Sequence, residues 1–161
     1  MKILAFGFVA AVALMSCQQQ QFFTSSPEID FIKKVDESYL KGDWTTNRSF
    51  YHDTATIYIN TWGRNKLTAD QVVEAFKAGV ADYTEYSLSD DRYYEMIIDD
   101  QGQHWVHCWA EWKGLHKNGK EVRSVVNITW RVENNKILFA GFIFDTLPNH
   151  LATEADSVNA M

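Results

Sequence analysis

Four consecutive strand patterns in the second half of the chain constrain its fold more than any other feature. From residue 93 onward, runs rich in β-branched and aromatic residues alternate with short turns that contain Gly or Asn. The predicted strands cover residues 93–98, 104–113, 122–132 and 137–144, and the turns lie at 100–102, 118–119 and 134–135. Strands joined by such short turns pair with their neighbours, so this half of the chain predicts an antiparallel meander.

The first half of the chain predicts two helices with a strand between them. Ser26-Pro27-Glu28 is typical of a helix start, and Gly42 is typical of its end. Residues 55–59 are β-branched or aromatic and predict a strand. Thr68 with Gln71 resembles a capping box that begins a second helix. The whole pattern therefore predicts an α+β fold.

Two-residue hairpin loops would fix which side chains face the core. If Asn118-Gly119 and Asn134-Asn135 are such loops, Trp109 lies opposite Ile128 and His107 lies opposite Trp130. The predicted buried face then carries Trp105, His107, Trp109, Ile128, Trp130, Phe139 and Ile143. The predicted outer face carries Val106, Cys108, Arg123, Asn127, Thr129 and Arg131.

Three polar residues of the predicted buried face are candidate catalytic groups. His107 is the candidate acid or base, and Glu111 and Asp145 would assist it. The alternative for His107 is a hydrogen-bonded histidine of the core, with Glu111 and Asp145 at a wet rim. Gly141 on the same face leaves a notch in the sheet, as a small-molecule pocket would require.

Aromatic residues are unusually frequent and are the candidate ligand-binding residues. They make up 14% of the chain, which has six Trp. Such rings could stack on a flat ligand, or they could simply form the core. The candidates are Trp105, Trp109, Trp130, Tyr58, Trp62 and Phe139.

The N-terminus has the layout of a bacterial lipoprotein signal. Lys2 precedes an apolar run from Ile3 to Met15, and the last four residues of segment 1–17, Leu-Met-Ser-Cys, resemble a lipobox. The expectation is a signal peptide at 1–16, a lipid on Cys17, a tether at 17–26, a domain at 27–147 and a polar tail at 148–161. The alternative is an ordinary signal peptide or a buried helix. Gln18 after the cysteine resembles sorting to the outer membrane, facing the periplasm.

Composition excludes several other classes of protein. The formal net charge of −6 argues against a nucleic-acid partner, because phosphate binding requires a basic surface. No Gly-rich phosphate loop is present, and the histidines lack metal-ligand spacing, so neither a metal nor a cofactor is expected. With Cys17 acylated, Cys108 would have no partner for an internal disulfide.

Residues 28–145 resemble the nuclear transport factor 2-like superfamily in its SnoaL-like, polyketide-cyclase-like branch. The resemblance is carried by Lys41-Gly42-Asp43-Trp44, by the segment from Phe50 to Ile57, by the segment from Arg131 to Ile137, and by Asp145. It implies a cone in which a strongly bent antiparallel sheet wraps around helices. The superfamily includes isomerases, dehydratases, cyclases, epoxide hydrolases and non-catalytic binding modules, so the fold alone does not decide the function.

Three functions are consistent with these observations. Ketosteroid-isomerase-like members carry a catalytic Asp where this chain has Ile59 or Asn60, and neither residue can take a proton at neutral pH. This departure favours a module that binds a small apolar or aromatic ligand. The alternatives are an isomerase, dehydratase or hydrolase that uses His107, and an interaction module that forms a homodimer through Val106, Trp112 and Val125 on the outer face.

Overall fold

The computed structural model describes residues 22–159, with side chains described up to residue 153. The expected signal peptide and Cys17 lie outside these residues. The helices are α1 (Pro27–Leu40), α2 (Trp44–Ser49), α3 (Ala69–Val80) and α4 (Leu147–Asn159). The strands are β1 (Phe22–Phe23), β2 (Tyr51–Ile59), β3 (Tyr83–Leu88), β4 (Tyr93–Ile98), β5 (His104–His116), β6 (Glu121–Glu133) and β7 (Lys136–Phe144).

The seven strands form one strongly curled, unclosed sheet, as the α+β cone prediction required. The strand order is β1-β4-β5-β6-β7-β2, and β3 pairs with the second half of β5. All pairs are antiparallel except β2 with β7, which run parallel. Helices α1 and α3 pack inside the curl, α1 against β4 and β5, and α3 against β2.

The predicted helix starts are confirmed. Ser26 Oγ accepts a hydrogen bond from the Ile29 amide (3.2 Å) at the start of α1. At the start of α3, Thr68 and Gln71 form the expected capping box, in which each side chain accepts a bond from the other residue's amide. These caps fix the first turns of the two helices that line the interior of the cone.

The predicted pairing of β5 with β6 is wrong by one residue. His116 and Lys120 pair across the turn, so the loop is Lys117-Asn118-Gly119, and Gly119 has φ +83°. A three-residue loop with a left-handed third residue is a common hairpin connection. Because the loop has an odd number of residues, Val106 instead of His107 lies opposite Trp130, and the two faces of β5 exchange roles.

The pairing of β6 with β7 begins as predicted and then shifts. Glu133 lies opposite Lys136 across the Asn134-Asn135 turn. A bulge at Leu138 then changes the register, so that Arg131 lies opposite Phe139 and Trp130 lies opposite Ala140. Together, the loop and the bulge leave Trp130 and Ile128 inside and move Phe139 and Ile143 outside.

The inner face of the sheet forms the core with the helices. Val106, Cys108 and Trp130 are at most 1% exposed, and Trp112 is half-buried against the same core. Val106 and Trp112 were expected on the outer face, and that placement is wrong. Val125 does lie outside and is 67% exposed.

Both ends of the described chain add to the fold. Phe22 and Phe23 pair with Ile97 and Met96 of β4, within the segment expected as a tether. The polar segment expected as a tail contains most of α4, which Asn118 and Lys120 hold through bonds to the Ala152 carbonyl. Within residues 22–159, no helix has both the length and the hydropathy to cross a membrane.

Candidate functional site

A cavity of about 280 Å³ lies inside the cone, between the helices and the inner face of the sheet. Its walls are mostly apolar and come from α1, α3 and strands β2, β3, β5, β6 and β7. Exposed residues of α3, Ala75 and Gly79, line it together with Asn149 of α4, so the mouth lies between these two helices. A cavity of about 150 Å³ can hold benzene; this one therefore has room for a molecule of about two rings.

Asp36 is the only carboxyl group that lines this cavity among the described residues. It lies on the inward side of α1, is 6% exposed, and accepts a hydrogen bond from the Tyr94 hydroxyl (2.5 Å). Burial raises the pKa of Asp36 to about 6, although the bond from Tyr94 opposes that shift. The carboxyl therefore titrates close to neutral pH, as a proton-transfer group requires.

Asp36 also borders a second, more polar hollow on the protein surface. This hollow has a volume of about 480 Å³ and is lined by Lys33, Arg92 and Tyr94. The carboxyl thus lies between the inner cavity and a hollow that is open to solvent.

Two tyrosines, Tyr39 and Tyr51, line the same cavity. Tyr39 accepts a hydrogen bond from Trp112 Nε1 (3.0 Å), and Tyr51 is 2% exposed. Burial raises the pKa of both phenols, and the charge of Asp36 raises each further. Both remain protonated at neutral pH, and within the described part of the chain neither hydroxyl donates to an acceptor. They are therefore available as donors to an oxygen atom of a ligand.

Asn47 forms the polar end of the same wall. Its Nδ2 donates to the Val35 carbonyl (3.2 Å) and to Ser38 Oγ (2.9 Å), so α2 is fixed against α1. Among the described residues, Asn47 Oδ1 and Trp130 Nε1 are buried without hydrogen-bond partners. Two further atoms of this kind, Asn127 Nδ2 and Arg131 Nε, belong to residues of the outer face. Such atoms are uncommon in folded proteins, and those of Asn47 and Trp130 could each bond a polar atom of a ligand.

The catalytic candidates from the sequence do not meet in this cavity. His107 lies on the outer face, its Nδ1 is 2.9 Å from Thr129 Oγ1, and burial lowers its pKa. Glu111 is on the same outer face and pairs with Lys113 (3.2 Å) and Arg123 (3.6 Å). Asp145 is exposed, and its Oδ1 accepts from the Leu147 amide (2.9 Å) at the start of α4. Their predicted place on a buried face is wrong, because the β5–β6 loop and the β7 bulge reverse it.

The ligand-binding candidates divide between the two faces. Trp130 lines the cavity, whereas Trp105 and Trp109 lie outside. Phe139 packs against Trp105, Trp62 and Tyr58, with ring centroids 5.6, 5.8 and 6.0 Å apart. This aromatic cluster is on the outer surface of the sheet, and Trp62 is 78% exposed.

Sequence reasoning missed Asp36, although a signal for it was present. Asp36 follows Ile29 by seven residues and Ile32 by four, and it precedes Tyr39 by three. It therefore lies within the apolar stripe of a predicted helix, where a carboxylate is costly unless it has a role or a partner. Tyr51 and Asn47 carried no comparable signal, because they reach the cavity only through tertiary packing.

Other reactive groups do not form a site. Cys108 is buried on the inner face, and burial raises the pKa of its thiol to about 12, so it is a poor nucleophile. No cluster of three or more potential metal ligands occurs within the described residues.

The fold of the chain is shared by solved structures of low sequence identity. No protein-family model and no curated protein matches the sequence. A protein named as a polyketide cyclase from Xanthomonas campestris is 14% identical, with a TM-score of 0.60 over 74% of this chain and 90% of its own. A protein named as a SnoaL-like polyketide cyclase from Shewanella putrefaciens is 14% identical, with a TM-score of 0.55 over 85% of this chain and 99% of its own.

A third similar structure is an NTF2-like protein from Anabaena variabilis. It is 15% identical, with a TM-score of 0.56 over 73% of this chain and 86% of its own. At such identities the similarity establishes the fold and leaves the chemistry open. The chain has the cone fold of the NTF2-like and SnoaL-like proteins.

Proposed function

We propose that this protein binds a small, mostly apolar ligand of about two rings in the inner cavity. The observation that carries the proposal is an apolar cavity onto which Asp36, Tyr39 and Tyr51 converge. This is the usual composition of a small-molecule site, in which apolar walls give affinity and a few polar groups give orientation. Solved structures with this fold include proteins named as polyketide cyclases, which is consistent with such a ligand.

Blocking the mouth of the cavity tests this proposal. Ala75 and Ala78 are both exposed alanines of α3, but only Ala75 lines the cavity. A thermal-shift screen with naphthalene, tetralones and naphthols should give ligands that raise the melting temperature of the wild type. Ligand at 100 times its Kd adds about 2.7 kcal/mol to stability. Ala75→Trp should lose this shift and Ala78→Trp should keep it; equal shifts in both would refute binding in the cavity.

A second candidate function is acid–base catalysis by Asp36 instead of His107. The specific observation is a buried carboxyl, with its pKa near 6, in a cavity that also holds two phenol donors. In such a site the carboxylate could take a proton from the carbon next to a carbonyl, while a tyrosine hydroxyl donates to the carbonyl oxygen. The product is the enolate of the ligand, with its oxygen hydrogen-bonded to the tyrosine hydroxyl and the abstracted proton on Asp36. Return of a proton from Asp36 to the same carbon regenerates the ligand, and in D₂O the returned atom is deuterium once the carboxyl has exchanged with solvent.

Hydrogen exchange at carbon tests this chemistry without knowledge of the natural substrate. In D₂O, the protein should accelerate the exchange of the C1 hydrogens of 2-tetralone for deuterium, measured by NMR. Asp36→Asn should abolish the acceleration, whereas His107→Ala should keep it. If 2-tetralone binds and exchange is no faster than in buffer, the protein is a binding module instead of an enzyme of this kind.

We also propose that the mature protein is anchored to the bacterial cell envelope by a lipid on Cys17, in the outer membrane and facing the periplasm. The support is the lipobox-like Leu-Met-Ser-Cys sequence after an apolar run, and Gln18 after the cysteine. Cells fed a radioactive fatty acid should label the wild-type protein and leave Cys17→Ser unlabelled. Label in both proteins would place the lipid elsewhere.

A further inference from the structure

We propose that the outer face of the sheet lies against the lipid surface that holds Cys17. This outer aromatic face comprises Phe22, Tyr93, Trp105, Trp109, Phe139 and Ile143. The proposal rests on the lipid anchor proposed above, and it assigns the membrane a second contact with the folded domain.

The composition of this face is unusual for the solvent side of an antiparallel sheet. Such a face is ordinarily polar, while the other face packs on the core. Here Tyr93 is 45% exposed, Trp109 is 53% exposed and Ile143 is 63% exposed. Monomeric soluble proteins seldom leave a broad apolar surface uncovered, so something covers this one in the native setting.

Phe22, the first residue that the structure describes, lies on this same face. Phe22 lies opposite Ile97, Ile97 lies opposite Trp105, and Trp105 lies opposite Arg131, which in turn pairs with Phe139. Directly opposed residues of neighbouring strands share a face of the sheet. Phe22 is therefore the first residue of a row that crosses the outer face from one edge toward the other.

The short distance between the anchor and this row determines which surface covers the face. Only residues 18–21 separate Cys17 from Phe22. Even a fully extended chain of this length spans at most about 18 Å between the two Cα atoms. A lipid on Cys17 therefore keeps the β1 corner of the domain close to the membrane, and a domain held at this corner must turn one side toward it.

The chemistry of the two sides favours the outer aromatic face over the helices. The exposed side of α1 next to β1 is charged, with Asp30, Lys33, Lys34 and Glu37. Tyr and Trp are the residues that concentrate at membrane–water interfaces, because their rings are apolar and their N–H or O–H groups remain hydrated. The face carries charges of both signs, from Glu95, Glu111, Lys113, Arg123 and Arg131. Its contact with lipid therefore depends on apolar burial and should persist at high salt.

Quenching of tryptophan fluorescence by brominated lipid tests the proposal on the lipidated full-length product. The protein is reconstituted into phosphatidylcholine vesicles with either ordinary or brominated acyl chains, at low and at high salt. We expect bromination to reduce the wild-type emission at both salt concentrations, because Trp109 lies at the interface. Trp109→Phe should lose part of the quenching. Trp112→Phe, on the inner side of the same strand, should keep it.

Each other outcome overturns a defined part of the argument. Protein that floats with the vesicles but shows equal emission in both lipids would overturn the contact and leave the anchor intact. A doubled mass in detergent by light scattering, together with no quenching, would assign the face to a second copy of the chain. Protein without acyl label that fails to float would overturn the anchor and, with it, this proposal.

Discussion

At the scale of single residues, Asp36 is the side chain of the cavity that is best placed to take part in chemistry. It is a carboxyl group in the apolar stripe of α1, and it has one hydrogen-bond donor, Tyr94. Burying a carboxylate is costly, and a single hydroxyl donor does not compensate fully. Because this cost exceeds the gain from the hydrogen bond, the pKa of Asp36 is raised. The free energy of unfolding should therefore depend on pH.

The free energy of unfolding should depend on pH through Asp36 in a direction opposite to that of a salt-bridged Asp. Its pKa rises from an ordinary 3.8 to about 6 in the folded state, so the folded state holds the proton more tightly than the unfolded chain. This contribution to stability is fully present below about pH 4 and is lost as the pH rises to about 6. The loss is on the order of 3 kcal/mol for a shift of this size.

Urea denaturation at a series of pH values measures the effect. Asp36→Asn keeps an acceptor for Tyr94 but cannot ionise, so it should gain stability relative to the wild type between pH 4 and pH 7. Parallel pH profiles for the two proteins would show that Asp36 has an ordinary pKa. The comparison with the variant is needed because Glu28, Asp43, Asp53 and Asp99 have lowered pKa values and add slopes of the opposite sign.

At the scale of elements, two small irregularities decide which side chains reach the cavity. Helices α1 and α3, strand β2 and the meander of β4 to β7 were predicted from periodicity, caps and turn residues, whereas α2, α4, β1 and β3 were not. Which side chains of β5 and β7 point toward the core could not be predicted. A change of one residue in the Lys117-Asn118-Gly119 loop, or one bulge at Leu138, moves every side chain beyond it to the opposite face. Asn-Gly also suits a two-residue turn, so sequence alone leaves the parity of this loop open.

Replacement of glycine by alanine should have opposite effects on stability in the β5–β6 loop and in α3. Gly119 has φ +83° with open space around its Cα, so Gly119→Ala strains only the backbone and should destabilise the protein by about 1 kcal/mol. Gly79 is an exposed residue of α3, also with open space, so Gly79→Ala should stabilise by about 0.5–1 kcal/mol. Thermal or urea denaturation of the two variants gives both signs. A neutral Gly119→Ala would argue against the left-handed loop residue.

At the scale of the whole molecule, the sequence predicts the architecture better than the site. Local patterns determine where most helices and strands form, and the order of β4 to β7 follows from their short connections. The pairings of β1 with β4, β2 with β7 and β3 with β5 join distant parts of the chain. The cavity gathers Asp36, Tyr51 and Trp130 from elements far apart in the chain, and it closes under α4, a segment whose polar sequence suggested only a tail. No local pattern encodes such convergence, so the site becomes visible only once the elements are packed.

A bond between β3 and α4 couples the cavity mouth to the rest of the molecule. Tyr83 Oη donates to Asn149 Oδ1 (2.7 Å), and Asn149 lines the cavity. Tyr83→Phe keeps the ring against Trp112 and His116 but releases α4, so the amides of α4 should exchange hydrogen faster and a cavity ligand should dissociate faster.

Tyr86→Phe is the matched control, because Tyr86 Oη donates to the Tyr39 carbonyl (3.1 Å) and makes no such bond to α4. Hydrogen exchange followed by mass spectrometry should show faster exchange in α4 for Tyr83→Phe alone. Equal exchange in both variants would mean that α4 is held by its bonds to Asn118 and Lys120, in which case the mouth opens independently of β3.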